Sequence, residues 1–282
     1  MYKIGLSTSA SANTEELFGA CRDAGIEVVE ISRPKNEVDA LDYEALKATS
    51  DKYGIKIWSF HLPFYPFNDI DISKPSIAHE SVKYLSDIID KACAIGIDKF
   101  IIHPSGEPIE ECDRKERMEC AKKSLFALAE HAKKYGATIC VEDLPRTCLG
   151  RSIEDMRELV SAHEDLRVCF DTNHLLYDDN VELVRALGDK IVTLHVSDYD
   201  MVNERHWLPG EGKNDWSAIL DALKVVGYNG VWLYEIDFAC PKTIIREREL
   251  TPSDFVKNAR ELFEGAPLTV ISTPKPNLGF WE

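Results

Sequence analysis

RVCFDTNHLLYDDNVELVRALGDKIVTLHVSD, residues 167–198, holds the pattern that decides the fold. It opens on a short apolar run, RVCFDT (167–172), continues through an amphipathic stretch over Val181–Leu187, and returns to a second apolar run, IVTLHVSD (191–198). Gly188 stands where a helix C-cap belongs. Two strand-length runs joined by a helix-length one read as a parallel βαβ unit, because parallel neighbours need a crossover and a helix supplies it. Asp171 lies at the end of the first run and His195 near the end of the second.

Outward from this unit the same grammar repeats. Strand-like runs occur at KIGLST (3–8), IEVVEIS (26–32), IKIWSFHL (55–62), KFIIHP (99–104), TICVED (138–143) and VWLYEID (231–237). Amphipathic stretches fill the intervals at Thr14–Ala24, Asp42–Tyr53, Ile77–Ile95, Arg114–Tyr135, Ile153–Ser161 and Trp216–Val226, and Pro252–Phe263 closes the series. Gly25, Gly54, Gly96, Gly136 and Gly227 each precede a strand, as C-caps should. Eight strand–helix units with no linker predict an α/β fold, a single (β/α)8 TIM barrel over residues 1–265. Residues 266–282, with Pro267, Pro274 and Pro276, are expected to form an extended C-terminal tail that lies on the surface or reaches a neighbouring subunit.

Strand alternation predicts which side chains point inward. With His61 directed into the barrel, Ser59 and Ile57 follow it, while Trp58 and Phe60 turn to the outer helices. The same parity sends Ile101, Cys140, Cys169, Thr193 and Leu233 inward, and Phe100, Phe170, Leu194, Trp232 and Tyr234 outward.

Bulk composition narrows the partners. The formal charge is −16, from 33 basic and 49 acidic residues, which argues against nucleic acid and anionic membrane as ligands. Eight cysteines are scattered without a Cys-x-x-Cys pair, as expected of free thiols in a reducing cytoplasm. No segment approaches the roughly 18 apolar residues of a membrane span, and the N-terminus does not read as a signal peptide.

The chemistry collects at the strand ends. His61, His103, Glu142, Asp171, His195 and Glu235 terminate, or nearly terminate, six successive runs. In a parallel barrel these ends meet at one face, so residues far apart in sequence converge there. Six oxygen and nitrogen donors in one place predict a site for one or more divalent metal ions.

The runs FHLPF, IIHPSGEP, VEDLP, FDTNHLL, LHVSD, PGEG and YEI, in this order, resemble the xylose isomerase-like TIM barrel superfamily. That superfamily includes sugar and sugar-phosphate isomerases and epimerases and the endonuclease IV type of DNA-repair nuclease. The resemblance spans roughly residues 3 to 265 and implies a metal-dependent isomerase or epimerase. Glu142, Asp171, His195 and Glu235 would hold one Mn²⁺, Mg²⁺ or Co²⁺, with Zn²⁺ also accommodated. Glu142 and Glu235 would serve as acid and base, passing a carbon-bound proton through a metal-stabilised enediolate of the sugar. His61, His103 and His174 are implied substrate contacts. Glu30, Arg146, Arg205 and His206 are further candidates, although Arg205 lies ten residues past His195, farther than the sugar enzymes place such an arginine.

Two alternatives accompany this expectation. A dehydratase acting on a sugar- or polyol-derived substrate could use the same site. A trinuclear-zinc phosphodiesterase of the abasic-site endonuclease kind would recruit His61, His103, His174, Glu204 and His206 as additional ligands, with glutamate standing at 204 where that type has aspartate. The expected partner is a small sugar or sugar phosphate, and the superfamily's habits imply a homo-oligomer.

Overall fold

The computed structural model describes residues 2–10, 14–64, 69–276 and 278–280. Eight parallel strands form the barrel: β1 (Lys3–Ser7), β2 (Val28–Ser32), β3 (Lys56–His61), β4 (Lys99–Ile102), β5 (Thr138–Glu142), β6 (Arg167–Asp171), β7 (Ile191–His195) and β8 (Val231–Tyr234). Hydrogen bonding runs in the order β7-β6-β5-β4-β3-β2-β1-β8. The ring closes between β7 and β8, where Val196 N–H donates to Leu233 O at 2.8 Å and Glu235 N–H to Val196 O at 3.3 Å. The expected (β/α)8 barrel is the fold.

The helices are α1 (Thr14–Ala24), α2 (Lys35–Asp39), α3 (Tyr43–Tyr53), α4 (Ala78–Ala94), α5 (Arg114–Lys133), α6 (Ile153–Val160), α7 (Asn180–Leu187), α8 (Trp216–Val225) and α9 (Pro252–Glu264). Only the short α2 has no counterpart in the sequence reading. Their apolar faces pack on outward-pointing Phe60, Phe100, Phe170, Leu194, Trp232 and Tyr234 in one continuous core. None of the helices among the described residues is long and apolar enough to cross a membrane.

Five of the six expected C-cap glycines take positive φ, the conformation that lets a helix end and the chain turn into the next strand. Gly188 differs. Its φ is −56°, and the constraint is space: a Cβ there would come within 2.5 Å of Val226 Cβ and 2.7 Å of Val184 O.

Parity is corrected in β3. Register with β2 slips between Val29–Ile57 and Glu30–Ser59, which leaves Trp58 as an extra residue. A bulge of this kind re-aims side chains. Ile57 therefore joins the outer core, and Trp58 turns inward, donating its indole N–H to Thr193 Oγ1 at 3.1 Å. There it packs on Val28, Val231 and Leu233. Together with Ile101, Cys140, Cys169 and Val192, these side chains fill the barrel interior, which makes it a packed core.

Beyond β8, β9 (Ile244–Arg246) pairs antiparallel with β10 (Ser272–Pro274). The tail thus folds back onto the chain's own loop. Further on, Phe280 O accepts from Asn203 Nδ2 at 2.6 Å and Gly279 O from Arg205 Nη2 at 2.9 Å. Asn277, Trp281 and Glu282 lie outside the described residues.

Candidate metal centre

Because the eight strands end at one level, their last residues face each other across the barrel mouth. Asp171 is directly opposite His195 in the β6–β7 register. Glu142 ends β5, and Glu235 directly follows β8. Glu142, Asp171, His195 and Glu235 each present one donor atom, all within 4.8 Å of one another. Glu142 is central. Its Oε1 lies 2.8 Å from His195 Nδ1, and its Oε2 lies 3.1 Å from both His61 Nε2 and His103 Nε2.

Three of the histidines are oriented by what holds the nitrogen facing away. His61 Nδ1 donates to Leu62 O at 3.0 Å and His174 Nδ1 to Asp143 O at 2.8 Å. His195 Nε2 donates to Glu30 Oε1 at 3.0 Å. Each therefore directs its other nitrogen into the site, the arrangement by which metal-binding imidazoles are fixed.

Electrostatics follow from crowding. Burial works against ionisation of Glu142, but His195 and His103 outweigh it and hold the carboxyl well below its usual range. Burial and the neighbouring Glu235 and Glu142 push Asp171 up to about 6, against His174. Burial opposes protonation of His195, yet it is held well above the usual imidazole value. Of its neighbours, Cys169 is itself pushed up by burial and stays a neutral thiol, so Glu235, Glu30 and Glu142 supply the negative charge. His61 and His103 share Glu142 Oε2 but move in opposite directions. His61 also faces Glu30 and Glu235 and rises, whereas burial and the nearby His61 and His174 lower His103.

These residues fit a divalent ion. Asp171 Oδ2 is buried and lacks a hydrogen-bond partner among the described residues, which is costly unless something satisfies it. Three carboxylates and an imidazole are a hard donor set, suited to Mn²⁺, Mg²⁺ or Co²⁺ and tolerant of Zn²⁺. Two further triads border the first cluster: His61, His103 and Glu142, and His174, Glu204 and His206. His174 Nε2 stands 3.3 Å from Glu204 Oε2.

The remaining candidates divide. Glu30, read from sequence as a substrate contact, is 0% exposed and does not line the cavity. Its carboxylate is engaged beneath the site by His195 and by Ser59 Oγ at 2.7 Å. Arg146 and Arg205 do reach the cavity wall, but both are bound to carboxylates of the chain. His206 takes a positive φ of 50° and Arg146 of 55°. Such backbone is sparsely populated for residues other than glycine and clusters at functional sites.

Asp143 and Asn173 escaped the sequence reading. Asp143 Oδ1 accepts from Asp171 N–H at 2.8 Å, and Asn173 Oδ1 accepts from Arg205 N–H at 2.8 Å. Asn173 N–H donates to Asp171 Oδ1 at 2.7 Å. They lock the Asp171 carboxylate and the 200–206 loop together. The only available signal was adjacency, in the pairs Glu142-Asp143 and Asn173-His174.

Glu30 yields a prediction. With glutamine at this position, His195 keeps an amide oxygen as acceptor but loses the carboxylate charge that raises its basicity, and Mn²⁺ affinity is expected to fall about 10- to 100-fold. Titration of free Mn²⁺ by electron paramagnetic resonance measures this without reference to activity. An unchanged affinity would show that Glu30 does not act through His195.

Above the cluster opens a cavity of about 660 Å³, walled by Phe64, His103, Glu107, Leu144, Arg146, Glu204, His206 and Asp237, among others. This volume suits a small molecule. A strand-end site at the mouth of a parallel barrel is shared by a wide class of enzymes. Residues 18–252 match the family model for the xylose isomerase-like TIM barrel, and the chain belongs to that family.

The D-psicose 3-epimerase of Ruminiclostridium cellulolyticum is 25% identical over 222 residues, covering 73% of this chain and 72% of that protein. The protein MJ1311 of Methanocaldococcus jannaschii is 27% identical over 190 residues, so the match spans 64% of each. Among solved structures, a D-tagatose 3-epimerase-like protein superposes with a TM-score of 0.79 at 21% identity, covering 93% of this chain and 97% of that one.

Proposed function

We propose that the protein is a divalent-metal-dependent sugar isomerase or epimerase. The observation that carries this reading is the pair Glu142 and Glu235. Both approach His195 Nδ1, at 2.8 and 3.5 Å, at the floor of a sugar-sized cavity. Two carboxylates flanking a bound ketose can remove a carbon-bound proton and return one, on the same carbon for epimerisation or on its neighbour for isomerisation. Glu142, Asp171, His195 and Glu235 would hold the ion, which when bound supplies Lewis-acid stabilisation of negative charge developing on the substrate oxygens. His61, His103 and His174 border the same space and offer imidazole nitrogens to hydrogen-bond sugar hydroxyls. The D-psicose 3-epimerase relative supports this chemistry. Dehydration would begin with the same proton removal and differ only in the loss of a hydroxyl.

A second reading has its own observation. The triads His61–His103–Glu142 and His174–Glu204–His206 would allow two more ions, and a three-metal site suits phosphodiester hydrolysis. Against it stand the chain's charge of −16 and the carboxylates Glu107, Glu204 and Asp237 in the cavity wall, since a polyanion calls for lysine and arginine.

Metal stoichiometry by elemental analysis, on protein purified without chelator, separates the two readings. About one ion per chain, with solvent deuterium entering a ketose in D₂O, is the outcome expected for the isomerase or epimerase. About three zinc ions per chain, with cleavage of abasic-site DNA, would overturn it.

A further inference from the structure

Arg146 and Arg205 are the arginine and lysine complement of the cavity wall among the described residues, and residues 11–13 and 65–68 contain no lysine or arginine. A guanidinium in a substrate pocket ordinarily recruits a phosphate or carboxylate through its forked donors. In this cavity the fork is already filled from within. Arg146 Nε donates to Glu107 Oε1 and Oε2 at 2.9 and 3.0 Å, and its Nη2 also donates to Glu107. Arg146 Nη1 meets Glu204 Oε1 at 2.8 Å and Asn203 Oδ1 at 2.9 Å. Arg205 is held by Asp200 and by Gly279 O, each at 2.9 Å.

Three features make the Glu107–Arg146 pair more than a surface ion pair. The arginine side chain is 12% exposed and the glutamate 27%, so the pair is partly shielded from solvent and salt. Arg146 is carried on left-handed backbone, a conformation that has to be held by its surroundings. The two residues also come from different loops, those after β4 and β5, and neither belongs to the donor clusters of the metal centre. An anionic group arriving at Arg146 would have to displace Glu107 while lying against Glu204. A neutral, polyhydroxylated ligand meets no such conflict, because carboxylates and imidazoles both bond hydroxyl groups.

We infer that Glu107 is a specificity-determining residue: by occupying the Arg146 guanidinium it closes an anion subsite and confines the cavity to substrates that carry no phosphate or carboxylate. The substrate class rests on the sugar chemistry proposed above. The closure of the subsite is a binding property and is tested separately.

The binding test titrates inorganic phosphate calorimetrically into chelator-treated protein, so that a metal ion does not capture it. Glu107→Gln keeps the size of the side chain and removes its charge. It is expected to bind phosphate about tenfold more tightly than the unaltered protein, and the gain should vanish in the double variant with Arg146→Gln. No gain, or a gain that survives loss of Arg146, overturns the role of Glu107.

The substrate test needs no variant. Mn²⁺-loaded protein is offered ketoses and their phosphate esters in D₂O, and kcat/KM for deuterium incorporation is expected to favour the free sugar by about tenfold or more. Preference for the ester overturns the substrate class and leaves the isomerase or epimerase reading standing. Exchange into neither form overturns both, and the phosphate titration still decides whether Glu107 closes the subsite.

Discussion

Replacing Glu142 or Glu235 with glutamine is expected to lower turnover about 10²- to 10⁴-fold, the range that a positioned proton-transfer group contributes. Glutamine retains the shape and one oxygen donor but can neither take nor return a proton. Glu235 is 15% exposed toward the cavity and Glu142 only 1%. The two variants should therefore differ in binding: Glu235→Gln changes a group on the proposed sugar-binding face, while Glu142→Gln also disturbs His61, His103 and His195. Because both residues belong to the candidate metal set, the assay is deuterium incorporation at saturating Mn²⁺, with sugar affinity measured calorimetrically on the same preparations. Loss of exchange with sugar binding partly retained is the expected pattern. Full activity in either variant would eliminate the two-glutamate mechanism.

The second large effect concerns stability. Glu211, in the PGEG loop after β7, and Arg246, in β9, form an ion pair whose side chains are both 0% exposed, with Arg246 Nη2 at 2.9 Å from Glu211 Oε2. Glu211 Oε2 also accepts Leu208 N–H at 2.9 Å, while Arg246 Nη1 has no hydrogen-bond partner among the described residues. Removing one member strands a buried charge, so Arg246→Met is expected to cost about 3–5 kcal/mol. Replacing both, with Glu211→Leu added, should recover part of that loss, because apolar side chains of similar volume need no partner, although Leu208 N–H then loses its acceptor. Urea denaturation of the single and double variants measures both effects. A single variant as stable as the parent would mean that solvent reaches the site.

The fold was legible because its signals are local and repeated: runs of strand length, helical periodicity between them, and glycine where each helix must stop. Convergence of Glu142, Asp171, His195 and Glu235 needed only the added rule that parallel strands end together. The misreadings came where a local rule met a long-range contact. Strand parity holds between bulges, and nothing around Ile57-Trp58 announced the extra residue. Its indole finds a hydroxyl on β7, 135 positions away. Glu30 was recognisable as an acid near a strand end, but its depth below the mouth depends on His195 lying across the barrel. The pairing of Arg146 with Glu107 brings two loops together over a separation of 39 residues, and loop conformation has no periodicity to read.

The inward turn of Trp58 also governs traffic. With the indole, Val28, Val231 and Leu233 packed below the site, the barrel offers no back exit, and whatever enters the cavity must leave through the same opening. Incoming and outgoing molecules then share one doorway and one free site, so product should act as a competitive inhibitor against substrate.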